Sequence, residues 1–446
     1  MSVRPHRSVH IALITLAAAA SCASAQFTYT LIARSSATGT NNFNLPLNAT
    51  LNDATPDIND AGLVSARVIT DSINFVQGIF VGTAAQGSVI YRGPADVLVT
   101  DPAVNNAGRI VYGVQQSTGL RSYDNSTQTE GPYTFGSPGT NTWEGPRIAS
   151  DGRTVYRATV GSARAIDLYN PATNTTTRLA AQNTLDPQSP FNFIFNPSIS
   201  PNGTVAVKLQ LGTSTSADEV WVYPPTGAPV RVAAETGAAT PGLFTSIDNG
   251  VNVNDTGKVV IAGTLASDGV RGIYIVDGAN APVPVALQTI YTIQFFTPDI
   301  NNAGDVVFRA QAGSTQGIFV GDGTADPQLV ALVTQSVTTD LGETTFTGFL
   351  QNPRINDNGS IVFGATLQTG GRGIFVASLP TAGCDDIDFN NNNVFPEDQD
   401  VIDFFNVLAG ADCPACNDID FNNNNVFPED QDVIDFFNVL AGSECA

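Results

Sequence analysis

The segment Ile300-Asn301-Asn302-Ala303-Gly304-Asp305-Val306-Val307-Phe308 contains the short phrase that decides the fold. An apolar residue is followed by a polar residue, two further residues, glycine and an apolar run. Asn, Asp or Ser at the start of such a turn can accept a hydrogen bond from the backbone two residues on, and glycine adopts the left-handed conformation that other residues resist. The phrase therefore predicts a tight hairpin.

The same phrase occurs seven times, at Ile58–Gly62, Val104–Gly108, Ile148–Gly152, Ile199–Gly203, Val253–Gly257, Ile300–Gly304 and Ile355–Gly359. Its glycines are 46, 44, 51, 54, 47 and 55 residues apart. Several units continue with a second short strand, at Gly78–Val81, Gly272–Ile275, Gly317–Val320 and Gly373–Val376, and then with a third apolar run. Four short strands with this period are typical of a propeller blade. We predict an all-β, seven-bladed β-propeller over residues 26–380.

The first strand of the mature chain indicates how the ring closes. Phe27–Arg34 resembles the third apolar run of the other units, and the last unit stops near Pro380 after its Gly-Ile-Phe-Val strand. Because closure removes free sheet edges, we expect the N-terminal strand to complete the last blade.

Residues 1–25 have the features of a secretory signal peptide, with basic residues, about ten apolar residues and the cleavage sequence Ala23-Ser24-Ala25. The apolar stretch is too short for a stable membrane anchor. We expect cleavage between Ala25 and Gln26 and an extracellular or cell-surface protein. The alternative is a lipoprotein signal with Cys22 as the lipidated residue, but Ala19-Ala20-Ser21 lacks the usual leucine.

The composition of the mature chain excludes several kinds of chemistry. Both histidines, His6 and His10, lie in the signal segment, so every mechanism that needs an imidazole is excluded. The mature chain carries 17 basic and 41 acidic residues, a formal charge of −24. Such a surface repels nucleic acid, and we expect no nucleic-acid partner. No second apolar stretch is long enough to cross a membrane.

A second, much closer repeat occupies the C-terminus, residues 384–446. Asp386–Gly410 and Asp418–Gly442 are identical over 25 positions at an offset of 32. Residues 381–383 form a short linker before this module. The module carries 15 acidic residues and neither Lys nor Arg.

Four cysteines follow the offset of the repeat and bracket its two units, 384–413 and 416–445. In an exported protein such an even set predicts disulfides. Spacing alone leaves three pairings open, and we expect the symmetric one, Cys384 with Cys413 and Cys416 with Cys445. Cys413-Pro414-Ala415-Cys416 is formally a redox or zinc motif, but its two cysteines belong to different units.

Each unit contains the spacing of a calcium loop. Oxygen-bearing side chains at alternate positions turn towards a hard cation, and a backbone carbonyl at position 7 adds a ligand. A helix with Val401, Phe404, Phe405 and Leu408 on one apolar face follows, and Gly410 ends it. The expected calcium ligands are Asp388, Asn390, Asn392, Val394 and Asp400 in the first unit, and Asp420, Asn422, Asn424, Val426 and Asp432 in the second.

A duplicated loop followed by one helix resembles the dockerin modules of cellulosome-type assemblies, and still more the cysteine-bracketed dockerin-like anchors of bacterial surface proteins. The resemblance implies two EF-hand-like Ca²⁺ sites and a protein partner of the cohesin kind. The module departs from the pattern at position 6, which is Asn393 and Asn425, and at position 12, which is Gln399 and Gln431. We therefore expect weak binding, about 0.1–1 mM. The alternative is an acidic spacer that binds no metal specifically.

The propeller units Ile148–Val155 and Ile199–Val205 resemble the repeats of TolB-type, WD40-like propellers, and the Asn-x-x-Gly units resemble tandem repeats of bacterial cell-surface proteins. This implies a fold and a location. The leading hypothesis is a non-catalytic binding or structural protein whose propeller carries a carbohydrate or protein ligand. The alternative is a carbohydrate-active propeller enzyme, a glycoside hydrolase or lyase, with acids such as Glu144, Asp218 or Glu219 beside a tryptophan.

Overall fold

The structure, a computed structural model, describes residues 27–115, 119–212, 217–238, 242–293, 297–379, 384–392, 394, 397–422 and 430–442. The signal segment 1–25 and the linker 381–383 lie outside these residues. Within them, the strands form seven antiparallel sheets, one for each copy of the turn phrase. The prediction of a seven-bladed propeller is confirmed.

The first four blades follow each other along the chain. The first contains β2 (Thr50–Leu51), β3 (Asp57–Ile58), β4 (Val64–Asp71), β5 (Val76–Gly82) and β6 (Gly87–Arg92). The second contains β7 (Ala103–Val104), β8 (Arg109–Gly113), β9 (Leu120–Asp124) and β10 (Thr129–Thr134). The third contains β11 (Thr140–Ile148), β12 (Thr154–Val160), β13 (Ala163–Asn170) and β14 (Thr175–Ala181). The fourth contains β15 (Phe191–Ile194), β16 (Ser198–Ile199), β17 (Val205–Leu211), β18 (Asp218–Tyr223) and β19 (Val230–Ala234).

The last three blades repeat the same plan. The fifth contains β20 (Phe244–Val253), β21 (Val259–Leu265), β22 (Arg271–Val276) and β23 (Val283–Leu287). The sixth contains β24 (Tyr291–Ile293), β25 (Asp299–Ile300), β26 (Val306–Ala312), β27 (Thr315–Gly321) and β28 (Gln328–Leu332). The seventh contains β29 (Ser336–Thr339), β30 (Gly342–Phe349), β31 (Arg354–Ile355), β32 (Ile361–Leu367) and β33 (Arg372–Ser378). The phrase lies at the hairpin that leaves each innermost strand.

The N-terminal strand β1 (Thr28–Ser35) is the outermost strand of the seventh blade, as predicted. It pairs antiparallel with β33, with Thr28 opposite Ser378 and Ser35 opposite Arg372. Arg34, which is buried, also donates from its guanidinium to both oxygens of Asp340, at 2.7 and 2.8 Å. The ring is therefore closed by the pairing of β1 with β33 and by a bidentate ion pair.

The hydrophobic core is a series of layers between neighbouring blades. Val362 and Val376 of the last blade pack with Val64 and Phe80 of the first, and Ile32 of β1 belongs to the same layer. Each layer buries residues from two adjacent sheets, because strand side chains alternate between the two faces. The fold is stable only when every blade has both neighbours.

The turn glycines have the backbone conformation that the phrase requires. Gly62 has φ +75° and Gly304 has φ +100°. The Gly304 amide donates to the Asn301 carbonyl at 3.2 Å. A side chain at these positions would strain the hairpin, since only glycine adopts this region freely.

The C-terminal module contains the only two helices in the described part of the chain, α1 (Asp398–Leu408) and α2 (Asp430–Leu440). Phe404 and Phe436 stack at 4.1 Å between ring centroids, and Phe389 and Phe421 complete a buried aromatic cluster. Gly410 follows α1 with φ +90°, as predicted. In the residues covered by the structure, no helix is long and apolar enough to span a bilayer.

Candidate functional site

The asparagines of the turn phrase connect the blades to one another. Asn356, for example, accepts the Ser360 amide with its side-chain oxygen at 2.8 Å and donates its NH₂ to the Asn59 carbonyl at 2.9 Å. The side-chain oxygen of Asn59 likewise accepts an amide four residues on, from Leu63. One side-chain amide therefore stabilises its own turn and also hydrogen-bonds to the next blade. The sequence predicted only the first of these two roles.

These contacts form a belt around all seven blades. The donor and acceptor pairs, blade to blade, are Asn59 and Asn105, Asn105 and Ala149, Ser150 and Pro201, Asn202 and Asp255, Asn254 and Asn301, Asn301 and Asn356, and Asn356 and Asn59. The asparagines of the phrase thus serve the fold, and their polar groups are satisfied internally.

Inside the belt, charged side chains narrow the central channel. Arg147, Asn252 and Arg354 line both a cavity of about 120 Å³ at the belt end and a cavity of about 610 Å³ at the other end. The Arg354 guanidinium lies 3.1 Å from the Asp299 carboxylate, and the Arg147 guanidinium lies 4.0 Å from Asp57. We call this charged constriction the waist.

The two waist carboxylates have unusual proton affinities. Burial raises the pKa of Asp299 to about 7, and the nearby charge of Asp57 adds to the rise, while the Ile355 amide opposes it. Burial likewise raises the pKa of Asp57, against the opposing charge of Arg147. Asp299 accepts the Ile355 amide at 3.1 Å, and Asp57 accepts the Val104 amide at 2.9 Å. Each carboxylate thus joins its blade to the next one.

The acids beside tryptophan are engaged in ion pairs within their own blades. Glu144 contacts Arg157, and Asp218 lies 2.5 Å from the Lys208 ammonium group. Glu219 accepts the Trp221 indole N–H at 3.0 Å and pairs with Arg231. This arrangement supports a structural role for all three acids.

In the first C-terminal loop, the predicted ligands Asp388, Asn390 and Asn392 are connected by hydrogen bonds through one backbone amide. The Asn392 amide donates to Asp388 Oδ1 at 3.0 Å and to Asn390 Oδ1 at 3.1 Å. Asn392 Oδ1 in turn accepts the Val394 amide at 2.7 Å. The side-chain oxygens of positions 1 and 3 therefore meet at one backbone amide, whereas Asn392 at position 5 is exposed and its side-chain oxygen serves the Val394 amide. The left-handed residue described in this loop is Asn391, with φ +58°, whereas Asn393 lies outside the described residues.

Asp400 closes the same loop from the helix. It is fully buried, its Oδ1 lies 3.5 Å from the Asn390 amide, and its Oδ2 accepts the Glu397 amide at 3.2 Å. Asp400 therefore also caps the start of α1. The sequence reasoning missed Asp403, whose carboxylate accepts the Asn390 NH₂ at 3.1 Å. Its position three residues after Asp400, on the same helical face, was the available signal.

The second loop repeats this arrangement where it is described. Asp420, Asn422, Asp432 and Asp435 are buried, and Asn422 donates to Asp435 at 3.1 Å, as Asn390 does to Asp403. The predicted ligands Asn424 and Val426, and also Asn425, lie outside the described residues. In the described residues, no three Asp, Glu, Cys or His side chains form a ligand cluster on their own. A cation here needs the amide and carbonyl oxygens as well.

The disulfide pairing differs from the symmetric one expected. Cys413 and Cys416 are bonded to each other, with their Cα atoms 5.3 Å apart. The expected bonds of Cys384 with Cys413 and of Cys416 with Cys445 are therefore both wrong. Cys384 is itself disulfide-bonded, and Cys445 lies outside the described residues. Because only two residues separate Cys413 from Cys416, this bond links the end of the first unit to the start of the second without requiring any contact between the units.

The predicted apolar face of α1 is also corrected at one position. Phe404 is buried, but Phe405 is 42% exposed and faces its counterpart Phe437, 41% exposed, at 6.0 Å between ring centroids. Ile402 and Ile434 are half exposed beside them. We call these four residues the apolar patch. Each helix contributes one phenylalanine and one isoleucine to the patch, because the two helices have the same sequence.

The arrangement of seven antiparallel sheets around a channel defines the protein as a β-propeller. The family of unknown function DUF7453 matches residues 126–378, more than half of the chain, and the chain belongs to this family. No curated protein shows significant similarity to the sequence.

Solved structures are similar to this chain at low sequence identity. The β-propeller domain of the Trilobed protease from Pyrococcus furiosus has a TM-score of 0.51 and 10% identity over 74% of this chain and 95% of that one. That domain is described as having an open velcro topology. TolB from Acinetobacter baumannii has a TM-score of 0.38 and 13% identity over 67% of this chain, which spans 65% of it. The acylaminoacyl peptidase from Pyrococcus horikoshii has a TM-score of 0.49 and 9% identity over 73% of this chain, which spans 51% of it.

Proposed function

We propose that the protein is a non-catalytic binding protein of the cell exterior. The propeller presents a ligand-binding cavity, and the C-terminal module binds two calcium ions and docks the protein to a partner. The disulfide between Cys413 and Cys416 is compatible with export.

One observation carries the proposal. The module buries the carboxylates of Asp388, Asp400, Asp420 and Asp432, yet its sequence from Cys384 onwards has no Lys, Arg or His. A buried charge is costly unless an opposite charge or a metal ion is close. A hard divalent cation bound by carboxylate, amide and carbonyl oxygens meets this need, and calcium is the ion whose loops use this spacing.

The apolar patch supports a docking role for the same module. Exposed phenylalanines on a small, strongly acidic domain leave apolar surface in contact with water. Burial of this surface against a partner would be favourable. We propose a partner of the cohesin kind with an apolar centre and a basic rim. Both helices contribute to this patch, so the partner would contact the two helices together.

The alternative, a carbohydrate-active enzyme, depends on the waist pair Asp57 and Asp299. A carboxyl group with a pKa near 7 is suited to general-acid catalysis. However, both carboxylates already hold a backbone amide and a guanidinium, which favours the structural interpretation.

The test is a calorimetric titration of the metal-free mature chain with calcium. We expect two weak sites of about 0.1–1 mM, and a gain of about 1–3 kcal/mol in the unfolding free energy of the module at 10-fold to 100-fold excess over Kd. The double variant Asp388→Asn, Asp420→Asn should lose the binding heat. The matched control Asp398→Asn, Asp430→Asn removes the same charge from exposed positions and should keep it.

Retention of the heat in the first variant, or its loss in the control, would contradict the calcium assignment. The docking role is tested by capture of a cohesin-like domain with and without calcium. Phe405→Ser with Phe437→Ser should weaken capture while leaving the calcium heat unchanged, because neither residue is in the loops.

A further inference from the structure

The cavity of about 610 Å³ on the far side of the waist is lined by an unusual concentration of positive charge. The whole chain has a net charge of −22 and only 19 basic residues, yet five arginines line this one cavity. They are Arg67, Arg147, Arg157, Arg164 and Arg354. Asp101 is the one acidic residue among the described lining residues.

Four of these arginines have carboxylate partners, and one has none. Arg67 lies 2.9 Å from Asp101, while Arg147, Arg157 and Arg354 pair with acids of the waist or of their own blade. Arg164 makes no ion pair within the described residues, and its buried Nη1 has no hydrogen-bond partner there. Nε of Arg157 is likewise buried without a partner in the described part of the chain.

The two unpartnered groups belong to neighbouring side chains. Burial lowers the pKa of Arg157 to about 10, and the charge of Arg164 contributes to the lowering. Two guanidinium groups of like charge in a partly buried cavity destabilise each other. A bound carboxylate would remove this repulsion and would accept the free N–H groups in charge-assisted hydrogen bonds.

Aromatic and amide groups surround the arginines. The Arg164 guanidinium lies 4.2 Å from the centroid of the Phe193 ring, and Phe195 lies beside that ring at 4.8 Å between centroids. Asn196, Asn249 and Asn352 also line the cavity. An aromatic face suits the apolar face of a sugar ring, and side-chain amides suit its hydroxyl groups.

We propose that this cavity binds an acidic saccharide, with a uronic-acid carboxylate held by Arg164 and Arg157 and a sugar ring beside Phe193. The proposal names the ligand class of the propeller and rests on the binding role proposed above. The site is missing from the repeat pattern because its residues come from different blades and different strand positions.

The test is a calorimetric titration of the full mature chain with trigalacturonate. Its methyl ester, an acidic tripeptide and sodium acetate serve as comparison ligands, in the presence of a calcium chelator. We expect the acid to bind at least tenfold more tightly than the neutral ester and than either of the other ligands. Arg164→Gln should weaken binding of the acid about tenfold to hundredfold, because it removes a charge-assisted hydrogen bond.

Two further variants sharpen the result. Arg164→Lys keeps the charge but loses the planar fork, so it should bind with intermediate affinity. Arg92→Gln, at an exposed arginine on the outer strand of the first blade, should bind like the unaltered protein.

Several outcomes would overturn the proposal. They are equal affinity for acid and ester, no loss with Arg164→Gln, tighter binding of the peptide or acetate, or no binding of trigalacturonate at all. Because the chelator removes calcium from the experiment, such a failure would leave the calcium and docking proposal intact. Loss of calcium binding in its own titration would in turn leave the saccharide site intact.

Discussion

The propeller and the C-terminal module are both built from sequence repeats, but they treat their polar groups in opposite ways. In the propeller, the repeated asparagines donate to the next blade and accept from their own turn, so the belt is satisfied internally. In the module, repeated aspartates are buried where the sequence offers no cation. A repeated polar residue therefore indicates a ligand only when the fold leaves its charge uncompensated.

The largest effect is expected where the propeller closes its ring. Replacing Arg34 by Met removes two charge-assisted hydrogen bonds to Asp340 and should lower the unfolding free energy by about 2–4 kcal/mol. Denaturant unfolding measures the change. The control Arg92→Met, at an exposed arginine of β6, should change it by less than about 0.5 kcal/mol. Equal effects of the two variants would show that the ion pair of Arg34 with Asp340 does not stabilise the closure.

The waist provides a pH-dependent test. Burial raises the pKa of Asp299 to about 7, so the folded state holds a proton that the unfolded chain releases near pH 4. The unfolding free energy should therefore fall as the pH rises from about 4 to 7, by on the order of 2–4 kcal/mol from this group. Asp299→Asn should flatten that slope relative to the unaltered protein. An unchanged slope would mean that Asp299 titrates normally.

A matched pair of asparagine variants separates the two regions directly. Asn356→Ala removes the bond to the Asn59 carbonyl and the acceptor of the Ser360 amide, and should cost about 1–3 kcal/mol with or without calcium. Asn390→Ala, in the first calcium loop, should act mainly by weakening calcium binding. Calorimetric and thermal unfolding, each with calcium and with a chelator, measure both. If the stability loss of Asn356→Ala depended on calcium, the proposed difference between the propeller and the C-terminal module would be contradicted.

The smallest effect is expected for the disulfide between Cys413 and Cys416. Only two residues separate the cysteines, so the loop that it closes is short and stabilises by about 2 kcal/mol in the chain-entropy model. Cys413→Ser with Cys416→Ser should lower the stability of the module by that amount or less. Mass spectrometry of unreduced peptides should find these cysteines joined. A bond between Cys384 and Cys413 would instead restore the symmetric pairing.

The sequence predicted the features that follow from short-range patterns. The turn phrase predicted seven hairpins, and the resemblance of Phe27–Arg34 to an outer strand predicted the closure. It could not predict the contact between Asn356 and Asn59, which joins residues 297 positions apart. It grouped Phe405 with Phe404 on one apolar face, because helical periodicity alone cannot decide which of two adjacent phenylalanines is buried.

The arginine-lined cavity was beyond sequence reasoning for a related reason. Arg67, Arg157 and Arg164 lie on three different strands in two blades, and no spacing connects them. The disulfide pairing was missed because four cysteines allow three pairings, and the symmetry of the repeat favoured a bond within each unit. A site whose residues come from several repeat units can be recognised only in the structure, whereas a site within one unit can be predicted from the residue spacing.

The pairing of Thr28 with Ser378 has a mechanical consequence. The two residues lie side by side at one end of an antiparallel strand pair, so a pull between them would open the ladder one bond at a time. A pull on Ser378 against the body of the propeller would instead load β33 along its length, between β1 and β32, and strain many bonds together. The ring therefore resists traction from its C-terminal side best, the direction in which a docked module would transmit force.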